Sequence, residues 1–223
     1  GIDKEGFCSV LMEGRGIPAK GAFPSSFSYG NDAVETVSYD TEEAKKLLEE
    51  SGWTDTDGDG YVDKDGQKLT INWLTYPTRL EQPKLAEYAQ ATLKDIGIDV
   101  SVNNTSDHRT YAENGEFDVY VSSLTTAPTG DPEYFFSSTV TGSKNYGNYQ
   151  NDEVTRLTEQ LHQTFDTDER GKLAVELQQK ILDDDAYFFV SHLNMGIVTK
   201  ANVTGMAAHP CDYYEITADL DVQ

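Results

Sequence analysis

The sequence has few basic residues for its length. Among 223 residues, 17 are Lys or Arg and 39 are Asp or Glu, which gives a net charge of −22. Proteins that bind nucleic acids carry clusters of Lys and Arg that contact the phosphates, and this sequence has no such cluster. An anionic membrane surface would also repel a chain of this charge. We therefore expect neither a nucleic acid nor a membrane surface as a partner.

Long apolar runs and catalytic motifs are also missing. No run approaches the roughly 18 residues that a membrane-spanning helix needs. The sequence contains no G-x-S-x-G, H-E-x-x-H, P-loop or G-x-G-x-x-G motif, which are signatures of hydrolases, metalloproteases and nucleotide-binding proteins. These absences argue against an enzyme.

Cysteine and histidine, which often bind transition metals, are sparse. Cys8 and Cys211 are the two cysteines, and their wide separation without a C-x-x-C motif favours unpaired thiols. The four histidines are scattered along the chain. His192 is the best candidate ligand, because Asn194 and Met195 follow it and this set suits a transition metal better than calcium.

The stretch 117–136 organises the rest of the chain. Alternating residues predict a strand over 117–122. The following residues cannot continue a central strand, because Pro128 lacks a donor and Gly130 lacks a side chain. Asp131 and Pro132 then fit the start of a helix. Ligands of α/β proteins bind where strands end in such loops. An ordinary strand–loop–helix connection fits the local pattern as well.

Strands and helices alternate around this stretch. Strands are predicted over 69–75, 98–102 and 117–122, an amphipathic helix over 81–96 and a short helix over 107–114. The β-α-β-α-β order with short connections predicts an α/β layer structure. Periodicity predicts further helices over 4–13, 42–51, 152–165 and 168–184, short strands over 186–190 and 196–199, and weak strand character over 203–223.

The segment 55–66 follows the pattern of a calcium-binding loop. Carboxylates occupy positions 1, 3, 5 and 9, and a glycine occupies position 6. The candidate ligands are Asp55, Asp57, Asp59, the Tyr61 carbonyl and Asp63. Position 12, however, is Gly66 instead of the bidentate Glu. A calcium site and an ion-free acidic turn both remain open, and either would have a structural role.

Several motifs together resemble one protein family, the extracytoplasmic solute-binding proteins of ABC importers for dipeptides, oligopeptides and nickel (family 5). Each motif is weak alone, but their order and spacing match the C-terminal lobe of these proteins. They are Ile2-Asp3-Lys4-Glu5, residues 40–53 with residues 57–60, residues 93–98, Phe117-Asp118, Gly130-Asp131-Pro132, Asn145-Tyr146, Tyr149-Gln150-Asn151, Asp168-Glu169-Arg170 and residues 178–185.

The resemblance implies a fold and a setting. The fold would be an α/β, periplasmic-binding-protein-like (type II) lobe with a mixed sheet flanked by helices. Residues 1–200 would form the lobe, and residues 201–223 would return toward a second, N-terminal lobe. The protein would be a monomer that needs no cofactor. It would lie outside the cytoplasm, in the periplasm or lipid-anchored at the outer face of the membrane, and deliver solute to an ABC permease.

The resemblance also suggests a solute. Dipeptide-binding members carry Trp and, three residues later, an Asp that pairs with the peptide amino terminus, whereas this chain has Thr125 and Pro128 there. The pair Ala127-Pro128, residues 192–195 and residues 209–214 look more like the nickel branch. The predicted solute is therefore nickel or a nickel chelate. The predicted contacts are Thr125, Thr126, Thr129 and Tyr146, with His192 as a metal or chelate contact.

Two alternatives remain open. The first is a dipeptide- or oligopeptide-binding protein of the same family. The second is a calcium-stabilised interaction domain that has no small-molecule pocket.

Overall fold

The computed structural model describes residues 1–208 and 216–223. The chain divides into two compact units. Unit 1 contains Gly1–Gly14 and Val37–Ser123, and unit 2 contains Arg15–Thr36 and Leu124–Gln223. The predicted boundary after residue 200 is not a boundary between these units, and the role proposed for residues 201–223 stays a prediction.

The secondary structure mixes helices and short strands. The helices are α1 Lys4–Gly6, α2 Thr41–Glu50, α3 Glu81–Lys94, α4 His108–Glu113, α5 Glu133–Phe135, α6 Asp152–Gln163 and α7 Thr167–Asp183. Two π-helices, Phe7–Leu11 and Phe136–Val140, continue α1 and α5, and a 3₁₀ turn spans Asn31–Ala33. The strands are β1 Gly16–Pro18, β2 Asp63–Lys64, β3 Gln67–Lys68, β4 Thr70–Thr75, β5 Asp99–Asn104, β6 Val119–Tyr120, β7 Ser191–Leu193, β8 Val203–Thr204 and β9 Asp221–Val222.

Unit 1 is built on a parallel sheet in the order β5-β4-β6. This arrangement confirms the predicted β-α-β-α-β layer. Strand β6 is shorter than the predicted 117–122, but the N–H groups of Asp118 and Val121 still donate to the carbonyls of Asn72 and Leu74 in β4. Helix α3 buries its apolar stripe in this unit, namely Leu85, Ala86, Ala89 and Leu93.

Helices α1 and α2 start where the sequence predicts. Asp3 accepts a hydrogen bond from the Gly6 N–H, and Asp40 accepts from the first turn of α2. The spacing of apolar residues also predicts a buried face for each helix, with Phe7, Val10 and Leu11 in the first and Ala44, Leu47 and Leu48 in the second. Both predictions are wrong in part. The π-helical turn leaves Val10 72% exposed, because five-residue spacing shifts the apolar face. Helix α2 buries none of its residues, although its spacing predicts an inward apolar stripe.

Unit 2 has a core of helices and aromatic rings. Helices α6 and α7 supply aliphatic residues that pack with Phe23, Phe135 and Phe136. The fully buried Gln178 accepts a hydrogen bond from the Ala22 N–H at 3.0 Å, and it donates to the Tyr29 carbonyl at 2.7 Å. One α7 side chain therefore fixes the distant segment 22–29 to this core.

The strands predicted around His192 are wrong. Residues 186–190 and 196–199 form no strands, and His192 itself lies in β7. Strand β7 pairs antiparallel with β1, which contains Pro18 and reads as a loop in the sequence. A three-residue strand has no detectable period, so its distant partner determines it.

The architecture is α/β, as predicted. The parallel strands form one sheet, while the antiparallel pairs β1-β7, β2-β3 and β8-β9 lie in separate small sheets. The predicted pairing state of Cys8 and Cys211 stays a prediction, because Cys211 is outside the described residues, as are residues 209–214 of the nickel-like motif.

The helices within residues 1–208 and 216–223 include none that is both long and apolar enough to cross a membrane.

Candidate functional site

The loop Leu124–Pro132, called here the threonine loop, carries three of the predicted solute contacts. Its interior positions are fixed by contacts from elsewhere in unit 2. The Thr126 hydroxyl donates to the Ala22 carbonyl at 2.9 Å, and the Tyr29 hydroxyl donates to the Gly130 carbonyl at 2.7 Å. Pro128 is buried. Partners that are distant in sequence therefore hold the loop in place.

Arg170 in α7 holds the end of the threonine loop. Its Nε and Nη2 atoms donate to the two Asp131 carboxylate oxygens at 2.9 and 2.6 Å. Nη2 also donates to Glu133 at 2.9 Å, and Nη1 donates to the carbonyls of Leu161 and Thr164. All five guanidinium donors are thereby used. The family-like motifs around Asp131 and Arg170 thus pair with each other.

Glu133 is held in its charged form by the same cluster. Burial by itself would favour the neutral acid, but hydrogen bonds from His162 and Arg170 keep the pKa of Glu133 below its usual range. The His162 Nδ1 atom lies 2.7 Å from the Glu133 carboxylate. The carboxylates of Asp131 and Glu133, at the end of the loop, are therefore both bound by Arg170 within unit 2.

The three threonines of the loop differ in exposure. Thr126 is half-buried and uses its hydroxyl within unit 2, whereas Thr125 and Thr129 are exposed. Leu124 beside them is 46% exposed. The exposed part of the loop therefore offers hydroxyl groups and a small apolar surface, and residues 124–130 contain no carboxylate.

The other two predicted contacts lie on separate segments of unit 2. Tyr146 is half-buried in the polar loop 142–151, and its N–H donates to the Lys144 carbonyl. His192 is half-buried in β7, and its Nε2 atom lies 3.3 Å from Asn31 Oδ1. The structure thus groups the three threonines and gives His192 a neighbour within the protein.

A polar depression of about 320 Å³ also lies in unit 2. Asn145, Tyr149, Asn151 and Thr155 are among the residues that line it. None of the five predicted solute contacts contributes to its lining.

The acidic loop of unit 1, residues 55–63, folds on itself. Asp55 accepts hydrogen bonds from the N–H groups of Gly58 and Gly60 at 2.7 and 3.0 Å. Gly60 has φ 88°, a left-handed conformation that glycine adopts without strain. Asp63 accepts from both the N–H and the hydroxyl of Thr56. Asp65 and Gly66, both with positive φ, form the hairpin turn between β2 and β3. Gly66, at position 12 of the calcium pattern, is therefore part of this turn.

Three of the predicted calcium ligands come together. Carboxylate oxygens of Asp55, Asp57 and Asp63 lie within 4.8 Å of one another. In residues 1–208 and 216–223, no other group of three or more His, Cys, Asp or Glu residues comes as close. Calcium binds oxygens at about 2.3–2.6 Å, so oxygens on opposite sides of one ion are roughly 5 Å apart. The three carboxylates therefore fit a calcium ion.

Asp59 has a different partner. One carboxylate oxygen accepts from the Tyr61 N–H, and the other lies 3.3 Å from the Lys68 Nζ atom. The Tyr61 hydrogen bond, followed by Lys68, lowers the pKa of Asp59 below its usual value. Lys68 also lies 4.1 Å from the centre of the Tyr61 ring. Asp59 is accordingly engaged by a cation of the protein itself.

The carboxyl edge of the parallel sheet holds a ring cluster that the sequence does not reveal. Tyr76 directly follows β4, and Tyr120 ends β6. His108, the first residue of α4, stacks on Tyr76 with ring centres 4.2 Å apart. Its Nδ1 atom lies 2.7 Å from the Tyr120 hydroxyl. The sequence shows four scattered histidines, and only the strand order brings His108 to this edge.

A hydrogen-bond network lies beside the rings. The Ser123 N–H donates to the Tyr76 hydroxyl at 3.1 Å. The buried Gln82 donates to the Ser123 hydroxyl at 2.7 Å, and this hydroxyl donates to Glu81 at 2.9 Å. The network fixes Ser123 and the Tyr76 ring on which His108 stacks.

Comparison with known proteins identifies relatives along nearly the whole chain. The family model "Bacterial extracellular solute-binding proteins, family 5 Middle" matches residues 1–147. The oligopeptide-binding protein AppA of Bacillus subtilis is 31% identical over 96% of this chain and 41% of its own length. The nickel-binding protein NikA of Staphylococcus aureus is 26% identical over 96% of this chain and 42% of its own length.

Solved structures agree with these matches. AppA in complex with a nonapeptide superposes with a TM-score of 0.79 at 26% identity, over 96% of this chain and 44% of that chain. The nickel ABC transporter structure from Bacillus halodurans gives a TM-score of 0.77 at 27% identity, over 99% of this chain and 46% of that chain.

The match covers only part of each relative's length. This chain spans about two fifths of the length of the curated relatives it matches. The relatives are named as binding proteins, which confirms the prediction of a binding protein instead of an enzyme. The chain belongs to family 5 of the bacterial extracellular solute-binding proteins.

Proposed function

We propose that the complete protein captures a solute outside the cytoplasm and delivers it to an ABC permease. This chain would supply one lobe of a two-lobed clamp whose closure excludes water from the solute. Family membership and the two-fifths coverage of the relatives support this assignment. Capture and release involve no bond breaking.

The proposed solute is a nickel chelate. The main observation that supports this proposal is the lack of an available carboxylate on the threonine loop. Pro128 is buried where dipeptide-binding members place an Asp, and Asp131 is engaged by Arg170. A peptide ammonium that loses its water needs a carboxylate, because an unpaired buried charge is strongly unfavourable. A chelate with carboxylate groups instead needs hydrogen-bond donors, and the hydroxyl of the exposed Thr129 is such a group.

A second candidate solute is an oligopeptide. The 31% identity with AppA, whose name and structure report oligopeptide and nonapeptide binding, favours it. A long peptide is bound largely through its backbone. The absence of one carboxylate is therefore a weaker argument against a long peptide than against a dipeptide.

A competition experiment separates the two solutes. Full-length protein is loaded with radiolabelled nickel and histidine and is then challenged with a library of di- to nonapeptides. For a nickel-chelate protein we expect the label to stay bound at peptide excess and to be displaced by unlabelled nickel–histidine. Displacement by peptides at equal or lower concentration would overturn the nickel assignment and establish the oligopeptide one.

The acidic loop would have a separate, structural role. We infer that Asp55, Asp57 and Asp63 hold a calcium ion, since their oxygens have the required spacing. Each carboxylate retains lone pairs beyond those that accept hydrogen bonds from the loop.

A further inference from the structure

Helix α2 is amphipathic, but its apolar side is not covered within unit 1. Ala44, Leu47 and Leu48 lie within about 100° of one another around the helix axis, and the charged residues occupy the opposite side. None of the residues of α2 is buried, and Leu47 is 53% exposed. Because a short helix owes most of its stability to the packing of its apolar side, α2 requires a further packing partner.

The charged side of α2 is paired within the helix itself. The Lys45 Nζ atom lies 3.2 Å from a Glu42 carboxylate oxygen. The Lys46 Nζ atom lies 3.2 Å from Glu43 and 4.0 Å from Glu50. The contact that α2 requires from elsewhere is therefore apolar.

The segment that leads into α2 adds to its exposed apolar surface. Val37 is 70% exposed and Tyr39 is 48% exposed, and Asp40, the cap of α2, follows them directly. Single exposed apolar side chains are common on proteins, whereas groups of them mark interaction sites. Val37, Tyr39 and Leu47 are called here the α2 surface, and all three belong to unit 1.

Charge disfavours two possible occupants of the α2 surface. The chain has a net charge of −22. Two copies of it would repel each other on approach, and an anionic membrane surface would repel it as well. The occupant is therefore neither a second copy nor a membrane.

The length of the relatives indicates another occupant. This chain spans about two fifths of the length of its curated relatives, and its fold matches 44% of the solved AppA chain. In a protein of that length, more than half of the polypeptide lies outside the chain described here. Interfaces between parts of one polypeptide bury apolar side chains such as those of the α2 surface.

We propose that the α2 surface is an internal interface of the full-length protein, covered by apolar side chains from the part of the protein that this chain does not span. In the full-length protein, Val37, Tyr39 and Leu47 are then buried, and α2 has the packing partner that its sequence pattern requires. This inference goes beyond the proposed function, because it holds for a nickel chelate and for an oligopeptide alike.

Cysteine labelling of the full-length protein tests this interface. Leu47→Cys and Lys45→Cys place thiols on opposite sides of α2, and Lys45→Cys is the matched control. Maleimide labelling is read peptide by peptide by mass spectrometry, so the native cysteines do not interfere. We expect position 45 to react about tenfold faster than position 47 or more, and the two rates to converge in urea. Equal rates in the folded protein would overturn the proposal.

Hydroxyl-radical footprinting makes the same test without a substitution. In wild-type full-length protein, Leu47 should be oxidised about tenfold more slowly than in the urea-unfolded protein. Oxidation of Leu47 at a similar rate in both states would contradict a covered α2 surface.

Photocrosslinking identifies the occupant. Purified full-length protein carries p-benzoylphenylalanine in place of Tyr39, which has a similar shape. We expect crosslinks within one polypeptide, from position 39 to peptides outside the 223 residues of this chain. A product of twice the mass would identify a second copy as the occupant. That product, crosslinks confined to these residues, no crosslink at all, or a crosslink that forms only with reconstituted ABC permease would each overturn the proposal.

Discussion

The threonine loop and the acidic loop are both polar turns, but different interactions hold them. The threonine loop is fixed by Ala22, Tyr29 and Arg170, which lie far from it in sequence. The acidic loop is fixed by its own carboxylates, which accept hydrogen bonds from backbone N–H groups two to seven residues away. The first conformation therefore requires the folded unit, whereas the second is specified locally.

Removing Arg170 should have the largest effect. Arg170→Met leaves Asp131 and Glu133 without their cation, and loss of one partner of a buried ion pair costs about 3–5 kcal/mol. We expect a loss near the lower end, about 3 kcal/mol, because the Asp131 side chain is 41% exposed. Urea denaturation measures the change in the free energy of unfolding.

Lys172→Met is the matched control for this prediction. Lys172 lies on the same helix and pairs with Glu169, but both side chains are more than half exposed. Its removal should change stability by less than about 0.5 kcal/mol. Equal losses for the two variants would show that Arg170 does not anchor the threonine loop.

Calcium should stabilise unit 1 through the acidic loop. Binding to the native state raises stability by about 2.7 kcal/mol at a hundredfold excess over Kd. We expect the melting temperature to rise with millimolar calcium and to return to its starting value with chelator. Asp55→Asn should abolish the rise, because it removes one of the three clustered carboxylates.

Asp59→Asn tests the difference between the predicted and the observed ligand sets. Its carboxylate lies beside Lys68, so the calcium-dependent shift should persist in this variant. A wild-type melting temperature that is the same with calcium and with chelator would identify the loop as an ion-free turn.

Acid should weaken the Arg170 cluster that anchors the threonine loop, and this is the smallest of the expected effects. The folded-state pKa of Glu133 lies below its usual value of 4.5. Its contribution to stability is therefore fully present above about pH 4.5 and is lost as the pH falls through the lower folded-state pKa. The stability difference between wild type and Glu133→Gln should shrink over this window.

Glu159→Gln serves as the charge-matched control for the pH dependence. Glu159 is exposed on α6, and its replacement removes the same charge without removing a partner of Arg170. If Glu133→Gln and Glu159→Gln gave the same pH profile, the Arg170 cluster would not be the origin of the acid sensitivity.

The order of elements in unit 1 was predictable because each element has a local signal. The β-branched and aromatic residues of β4 and the apolar stripe of α3 identify a strand and a helix without knowledge of their partners. Cap residues such as Asp3 and Asp40 lie within three residues of the N–H groups they bind. For α7 the sequence predicts Thr167 or Asp168 as the cap, whereas the structure has Asp166 there, which accepts from the N–H groups of Asp168 and Glu169.

The candidate site was predictable only in part. The strand–loop–helix pattern of 117–136 located the threonine loop, but it did not show that Thr126 bonds within unit 2. The choice of His192 as a candidate ligand relied on its neighbours in the sequence, Asn194 and Met195. His192 as the metal contact stays a prediction, whereas the ring cluster around His108 has no signal in the sequence, because only the strand order brings Tyr76 and Tyr120 to this ring.

The sequence by itself determined the alternating strands and helices, the acidic loop and the family, because these depend on periodicity and on residues that are close in the chain. Tertiary structure decided the pairing of β1 with β7, the Arg170–Asp131 pair across 39 residues and the ring cluster around His108. Each of these contacts forms between segments whose separation leaves no periodic pattern. Their partners are therefore selected by packing in the folded units.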